Sequence, residues 1–414
     1  MRRTISLRAA AAATVAAALA AGLAACGGAQ VVTQQKSPAP IRIGAIFNLT
    51  GSQAPLDGPS LDGARLAADR INAAGGLLGR RVELLERDGQ TDPALVRYDA
   101  ENLAALKVTA IIGLSDTDQV LAGAPVAARA GIPFVTSGAT SPLLPAQVPE
   151  WLFLACFGDN VQAAAGAEYA AGWLGARTAA ILFDKDMEYT RLLQRYFGQS
   201  FSAQGGTIVL RAGFHSGEHD IAKLLAPPGS RSGDEGDDDA RALPLRRAPR
   251  LLFVAAGPDD AGPLVRKLRA AGYRQPIMGG DSYDSPELIE AARKTGGGVY
   301  FTTHAAFGLA HSTIAMRQFT TWYRSAYGQP PENAFAGLGF DAVNLVAEAI
   351  LRAKSADPGK VRDALLETRG FDGVSGGLSY ADGSLVPRKA VTVIKVGRRA
   401  ELAAEITPAF VPTP

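Results

Sequence analysis

Short apolar segments alternate with longer segments of helical periodicity along most of the chain. The first apolar segment, 41–47, precedes a segment at 61–73 in which leucine, alanine and isoleucine recur at the spacing of one helix face. The intervening Gly/Ser/Pro-containing residues 50–60 predict a loop. Gly75 and Gly76 end the predicted helix, because glycine readily adopts the left-handed conformation of a helix C-cap.

The same strand-and-helix unit recurs to about residue 280. Further apolar strands are predicted at 81–87, 110–113, 132–136, 178–183, 207–212, 250–255 and 276–279. Helices are predicted at 93–106 and 119–130 and between the later strands. This alternation predicts an α/β fold class with parallel sheets covered on both faces by helices. Ligands of such folds lie beyond the carboxyl ends of the strands, so the functional residues are expected in those loops.

The first 26 residues have a different pattern. Three arginines precede an alanine-rich run at 9–25, which ends in Leu23-Ala24-Ala25-Cys26. The run is shorter and less apolar than the roughly 20 residues of a membrane span, so it predicts an export signal. Leu-Ala-Ala-Cys resembles the lipobox of bacterial lipoproteins, which implies cleavage before Cys26 and lipidation of its thiol. An ordinary secretory signal with an incidental cysteine is the alternative.

Two polar segments interrupt the pattern of strands and helices. Residues 26–40 are small, polar and contain proline, and they predict a flexible tether. Residues 227–250 carry many charges and almost no apolar side chains, which predicts a disordered surface insertion. A calcium loop is the alternative interpretation of the acidic residues 234–239, but their spacing does not match an EF-hand.

Composition excludes several function classes. Removal of 25 signal residues from the 414 leaves 389, enough for two domains. Charge is nearly balanced at a net +2, so nucleic-acid binding is not expected. With Cys26 lipidated, Cys156 is the one remaining cysteine, which excludes a disulfide framework and a cysteine metal site. His215 and His219 are four residues apart, but the sequence between them is typical of a loop, so no metal is expected.

Motifs of common enzyme classes are missing as well. The sequence has neither the Gly-x-x-x-x-Gly-Lys phosphate loop nor the His-Glu-x-x-His metalloprotease helix. Cys156 lies within the apolar run 151–157, which favours a buried, inert thiol over a nucleophile. The sequence therefore predicts a ligand-binding protein with no catalytic residues and no cofactor.

An ordered series of short motifs makes the interpretation more specific. The motifs are Ile43-Gly-Ala-Ile-Phe-Asn-Leu-Thr-Gly-Ser, Asp62-Gly-Ala, Ile71-Asn-Ala-Ala-Gly-Gly-Leu-Leu-Gly-Arg, Asp88 with Asp92-Pro93, Gly131-Ile-Pro-Phe-Val, Asp159 with Gln162, Gly297-Gly-Val-Tyr-Phe-Thr-Thr-His, Gly339-Phe-Asp-Ala-Val and Phe371-Asp-Gly-Val-Ser-Gly. In this order they resemble the type I periplasmic solute-binding proteins of ABC importers, in the leucine/isoleucine/valine-binding group. The resemblance covers residues 41 to about 402.

The resemblance implies two Rossmann-like lobes joined by three hinge crossovers, with the ligand in the cleft between them. One lobe would comprise 41–158 and 305–386, and the other 159–304 and 387–402, with 227–250 inserted in the second. Closure of the lobes around a hinge would bury the ligand.

The resemblance also implies a carboxylate site on the first lobe. Thr117 falls at the usual hydroxyl position of one loop, and the next loop is Ser137-Gly138-Ala139-Thr140. Backbone N–H groups and hydroxyls at a strand-to-helix turn suit a carboxylate, since the helix dipole adds partial positive charge. The alternative is that Ser137 and Thr140 only cap a helix.

On the facing lobe, the resemblance implies that Tyr189 and Asp281 contact the ligand. Asp281 is suited to an ammonium group by charge-assisted hydrogen bonding. Leu56 and Gly257-Pro258 replace aromatic residues that the family often has, and Asp116 and Asp118 add negative charge beside Thr117. These departures widen the expected ligands to hydrophobic amino acids, amides and aromatic acids.

The predicted function combines these inferences. We expect an exported monomer, anchored by lipid in the periplasm or on the outer face of the cell membrane, that delivers its ligand to an ABC permease. The alternative is a lipoprotein of the same fold that acts as a sensor or activates a cell-wall synthase.

Overall fold

The computed structural model describes residues 38–220, 249–309, 312–380 and 383–414. The predicted signal peptide, the lipidation of Cys26, nearly all of the tether and nearly all of the 227–250 insertion lie outside these residues. In the described residues, no helix is long and apolar enough to cross a membrane.

The first lobe is built on a five-stranded parallel sheet. Its strands are β1 (Ile41–Phe47), β2 (Val82–Asp88), β3 (Ala110–Gly113), β4 (Phe134–Thr136) and β5 (Leu152–Leu154), in the order β2-β1-β3-β4-β5. The helices between them are α1 (Ala54–Ala73), α2 (Pro93–Ala105), α3 (Thr117–Arg129) and the short α4 (Leu144–Gln147). Every strand residue of β3, β4 and β5 is buried, as expected for a sheet covered on both faces.

The second lobe is built on a seven-stranded sheet. Its strands are β6 (Thr178–Asp184), β7 (Thr207–Phe214), β8 (Leu251–Ala255), β9 (Ile277–Gly279), β10 (Val299–Thr303), β13 (Val391–Val396) and β14 (Ala400–Ile406), in the order β14-β13-β10-β9-β8-β6-β7. Strand β13 pairs antiparallel with both of its neighbours, and the other pairs are parallel. The helices are α5 (Asp159–Gly172), α6 (Glu188–Ala203), α7 (Pro258–Ala270) and α8 (Pro286–Lys294).

The chain returns to the first lobe before it ends in the second. Helices α9 (Ile314–Tyr327), α10 (Phe335–Ala353) and α11 (Pro358–Leu366) follow β10, and the hairpin β11 (Phe371–Gly373) and β12 (Gly376–Leu378) follows them. Phe319, Val346 and Leu365 of these helices share one buried core with Ile43 of β1. The chain therefore crosses between the sheets three times, and the predicted α/β class with two mainly parallel sheets is confirmed.

The start of α1 differs from the prediction. Residues 50–60 were expected to form a loop, but α1 begins at Ala54 and contains Pro59. A proline inside a helix has no N–H for the carbonyl four residues earlier, here that of Pro55. Asn333 Nδ2 donates to this carbonyl at 2.9 Å and satisfies it from a distant part of the chain. The loop prediction is therefore wrong from residue 54 onward.

Two glycines let α1 and α10 cross at close range. A Cβ atom on Gly63 would lie 1.8 Å from the carbonyl oxygen of Ala336, and one on Gly339 would lie 1.8 Å from that of Ser60. Neither position can carry a side chain unless the helices move apart. The crossing fixes the amino-terminal ends of both helices, which carry Leu56 and Phe335, beside the cleft.

Candidate functional site

The three crossovers contact one another at the base of the cleft. His304 follows β10 in the second crossover, and its ring stacks on Phe157 of the first at a centroid distance of 3.8 Å. Lys389 of the third crossover donates from Nζ to the carbonyl of Ala155, also in the first, at 3.2 Å. The hinge is therefore packed and hydrogen-bonded.

Asp281 is the centre of the wall that the second lobe contributes. It lies in a short 3-10 turn after β9 and is 2% exposed. Its Oδ1 accepts from Tyr189 OH at 2.9 Å and from Gln162 Nε2 at 3.1 Å, and its Oδ2 accepts from His304 Nε2 at 2.9 Å. The structure thus brings the predicted Tyr189 and Asp281 together and adds Gln162 and His304.

The residues that lead into α3, Ser115 and Asp116, form the facing wall. Asp116 caps the helix by accepting from the N–H of Gln119 at 3.1 Å, and Thr117 is its first residue. Thr117 is buried, and its hydroxyl has no hydrogen-bond partner in the part of the chain that the structure describes. Ser115 Oγ donates to Asp57, which is buried, at 2.5 Å.

The predicted carboxylate loop is largely hydrogen-bonded within the protein. Ser137 Oγ accepts from Ser60 Oγ at 3.2 Å, and the N–H of Gly138 donates to the Leu114 carbonyl at 3.3 Å. The N–H of Ala139 donates to the threonine hydroxyl at the end of β4 at 3.0 Å. These groups hold the loop against β3 and β4.

Thr140, the last residue of that loop, is also engaged. Its hydroxyl donates to Asp159 Oδ1 at 2.7 Å, and both side chains are buried. Gln162 Nε2 donates to the same Oδ1 at 2.9 Å and also to Asp281. Asp159 Oδ2 has no partner among the described residues. Thr140 therefore reaches Asp281 through a hydrogen-bonded chain of side chains across the hinge.

Burial shifts the ionisation of these carboxyl groups. It raises the pKa of Asp159 to about 8, and the nearby Asp281 carboxylate adds to the shift. It raises the pKa of Asp116 to about 7, with a further contribution from Asp118, and that of Asp57 to about 6. Burial also lowers the pKa of His304. Desolvation disfavours the charged form in each case.

The two lobes are in contact across the cleft. The N–H of Glu188, in the first turn of α6, donates to Asp118 Oδ2 at 3.0 Å. The cavity between the walls is about 10 Å³. Its apolar lining comes from both lobes: Leu56, Met187, Pro258 and Phe335. A space of this size holds about one water molecule, so this is a closed conformation and a larger molecule enters only after the lobes separate.

Sequence reasoning missed several of these residues. His304 directly follows β10, and its position at the carboxyl end of a parallel strand was an available signal. Phe335 and Asp57 carried no comparable signal, because α10 and the first turn of α1 had not been placed at the cleft. The contacts of Gln162 with Asp281 join residues 119 positions apart and cannot be read from local pattern.

Other candidate residues lie elsewhere. Cys156 is buried in the first crossover, where burial raises the pKa of its thiol well above the ordinary value. His215 contacts Asp186 and His219 contacts Asp260, so the two histidines face different carboxylates. In the described residues, no group of three or more metal-binding side chains occurs.

Comparisons with known proteins agree with this architecture. A family model of periplasmic binding proteins matches residues 40–399. The "Amino acid binding protein" of Pseudomonas aeruginosa is 26% identical over 329 residues, which are 79% of this chain and 82% of that protein.

Two solved structures are similar over most of the chain. The leucine-binding protein LivK of Thermotoga maritima has a TM-score of 0.78 at 29% identity, covering 89% of this chain and 99% of that one. The branched-chain amino acid binding protein LivJ of Streptococcus pneumoniae, solved with isoleucine, has a TM-score of 0.77 at 26% identity, covering 89% and 100%. The chain therefore belongs to the periplasmic binding protein family, with the type I fold of its leucine/isoleucine/valine-binding group.

Proposed function

We propose that this protein is the extracytoplasmic substrate-binding component of an ABC importer, which captures a small amino acid-like ligand by closure of its lobes. The observation that carries the proposal is Asp281, a buried carboxylate that lines one cavity with Asp116 of the facing lobe and accepts hydrogen bonds from Tyr189, Gln162 and His304. A protein that used this fold only as a scaffold would not need ionisable groups from both lobes in one cavity.

Relatives support the same proposal. A relative in Pseudomonas aeruginosa is named for amino acid binding, and one solved relative is a transporter substrate-binding protein in complex with isoleucine. Members of the family bind substrates and do not transform them. The ligand would reach its partner, an ABC permease, when the lobes reopen.

Anchoring through Cys26 completes the proposal. The Leu-Ala-Ala-Cys sequence supports lipidation, and the tether would keep the lobes near the membrane. Membrane fractionation of a Cys26→Ser variant tests this, since we expect the variant to leave the membrane fraction. Retention of the variant in that fraction would contradict the anchor.

Thermal unfolding with a panel of amino acids, amides, amines and aromatic acids tests binding. A ligand present at 100 times its Kd should add about 2.7 kcal/mol to the free energy of unfolding. Asp281→Asn should remove the shift, because a neutral amide loses the charge-assisted bonds. Asp259→Asn, an exposed position on α7, is the control and should keep it. Failure of every compound to stabilise the wild-type protein would overturn the proposed function.

A further inference from the structure

We infer that the ligand of this cleft is a small organic cation, bound through N–H donors as an amine or an amino-acid amide, and that a free carboxylate is excluded. The inference rests on the proposed function and names its substrate class. Two properties of the cavity carry it: the sign of its charge, and the engagement of the donors that a carboxylate would need.

The charge of the cavity is negative. Asp116 and Asp281 are the ionisable acids that line it, and no lysine or arginine is among the described residues of the lining. Asp57 accepts a hydrogen bond from Ser115, which lines the cavity. Gln162 donates both to Asp159 and to Asp281. Carboxyl groups from both lobes thus surround one small space, which attracts a cation and repels an anion.

Lys389 is a buried cation of the third crossover. Its Nζ donates to the Ala155 carbonyl and, at 2.9 Å, to Ser375 Oγ. Both partners lie outside the cavity lining, so the ammonium group is directed into the hinge. Lys389 therefore does not supply a counter-ion for a ligand carboxylate.

The donors of the expected carboxylate site are used elsewhere. The N–H groups of Gly138 and Ala139 donate within their own lobe, and the Thr140 hydroxyl donates to Asp159. The hydroxyls of the cavity lining, on Ser115, Tyr189 and Ser282, also donate within the protein. A carboxylate in the cavity would find none of these donors free, and removing it from water would be costly.

The protonation of the carboxyl groups supports the same conclusion. Burial raises the pKa of Asp116 and of Asp159, with further contributions from Asp118 and Asp57 to the first and from Asp281 and Glu188 to the second. A bound cation stabilises the ionised carboxylates and lowers those pKa values, so its binding at neutral pH should release protons.

Four compounds that share the branched aliphatic side chain of leucine, but differ in charge, test the inference on the mature, exported protein. They are leucine (zwitterion), leucinamide and 3-methylbutylamine (cations), and 4-methylpentanoate (anion), with affinity measured by calorimetry in two buffers of different ionisation enthalpy. We expect both cations to bind at least about tenfold tighter than leucine, a difference of about 1.4 kcal/mol. We also expect proton release with the cations and no heat from the anion.

The outcomes separate this inference from the proposed function. If leucine or 4-methylpentanoate binds as tightly as the amine, or if no protons are released, the cation inference is overturned while the transport proposal stands. If none of the four compounds binds, and none of the wider panel stabilises the protein, both are overturned.

A variant of the cavity wall gives a second test. Asp116→Asn keeps a side chain that caps helices well, so α3 should remain intact. We expect it to weaken 3-methylbutylamine binding at least about tenfold and to reduce the preference for leucinamide over leucine. The control, Asp259→Asn, should change neither. Unchanged amine affinity in Asp116→Asn would overturn the inference.

Discussion

At the scale of single residues, hydrogen bonds between side chains join the polar groups of the cleft across the hinge. Thr140 and Asp281 were both predicted to contact the ligand directly, but the structure joins them through Asp159 and Gln162. Sequence motifs could place Thr140 and Asp281 at strand ends. They could not reveal that Asp159 holds the Thr140 hydroxyl, because that bond depends on how the first crossover packs against β4.

Asp159 should make the stability of the protein depend on pH. Its folded-state pKa, about 8, is above the ordinary value of 3.8, so the folded protein holds this proton more tightly than the unfolded chain does. This contribution is fully present below about pH 4 and is lost as pH rises toward 8. Asp159→Asn should therefore show a smaller decrease in the free energy of unfolding between pH 4 and pH 8, measured by urea denaturation. Parallel pH profiles for the two proteins would contradict the assignment.

At the scale of elements, strand positions were predicted well and helix ends less well. Strand β3 has the predicted bounds, 110–113, because four consecutive apolar residues fill a strand buried on both faces. Helix α1 was predicted seven residues too short at its start. Its early turns depend on Asn333, which lies far along the chain and satisfies the carbonyl that Pro59 leaves free.

The crossing of α1 and α10 gives a prediction about stability. Gly63→Ala should lower the free energy of unfolding by about 1–3 kcal/mol or more, because the added Cβ meets the backbone of Ala336 and forces the helices apart. Gly172→Ala is the control: this α5 glycine is exposed and an added Cβ would have no heavy atom within 4 Å, so the variant should be neutral or slightly more stable. Chemical denaturation measures both, and equal stability of the two variants would contradict the account of the crossing.

At the scale of the whole molecule, the two lobes and three crossovers followed from the resemblance of ordered motifs, whereas the contacts that close the cleft did not. Asp118 was noted only as extra negative charge near the ligand. In the structure it accepts from the N–H of Glu188 on the opposite lobe, at the amino-terminal end of α6. The helix dipole there favours a negative charge. Asp118 thus contributes to closure and is absent from the cavity lining.

Asp118→Ala should weaken ligand binding by destabilising the closed state. A charge-assisted hydrogen bond contributes about 1.5–3 kcal/mol, so Kd should rise by about tenfold or more. The increase should come mainly from faster dissociation, which stopped-flow measurements resolve. Ligand specificity should stay the same, since Asp118 does not line the cavity. A change in the ranking of ligands, or an unchanged Kd, would contradict this role.

His304 connects the ligand site with the hinge in a single side chain. Its Nε2 is hydrogen-bonded to Asp281, and one face of its ring stacks on Phe157 of another crossover. A replacement that removes the imidazole would therefore remove the hydrogen bond to Asp281 and the stack on Phe157 together. If Asp281 binds the ligand as proposed, we expect such a replacement to change both the choice of ligand and the rate at which the lobes reopen.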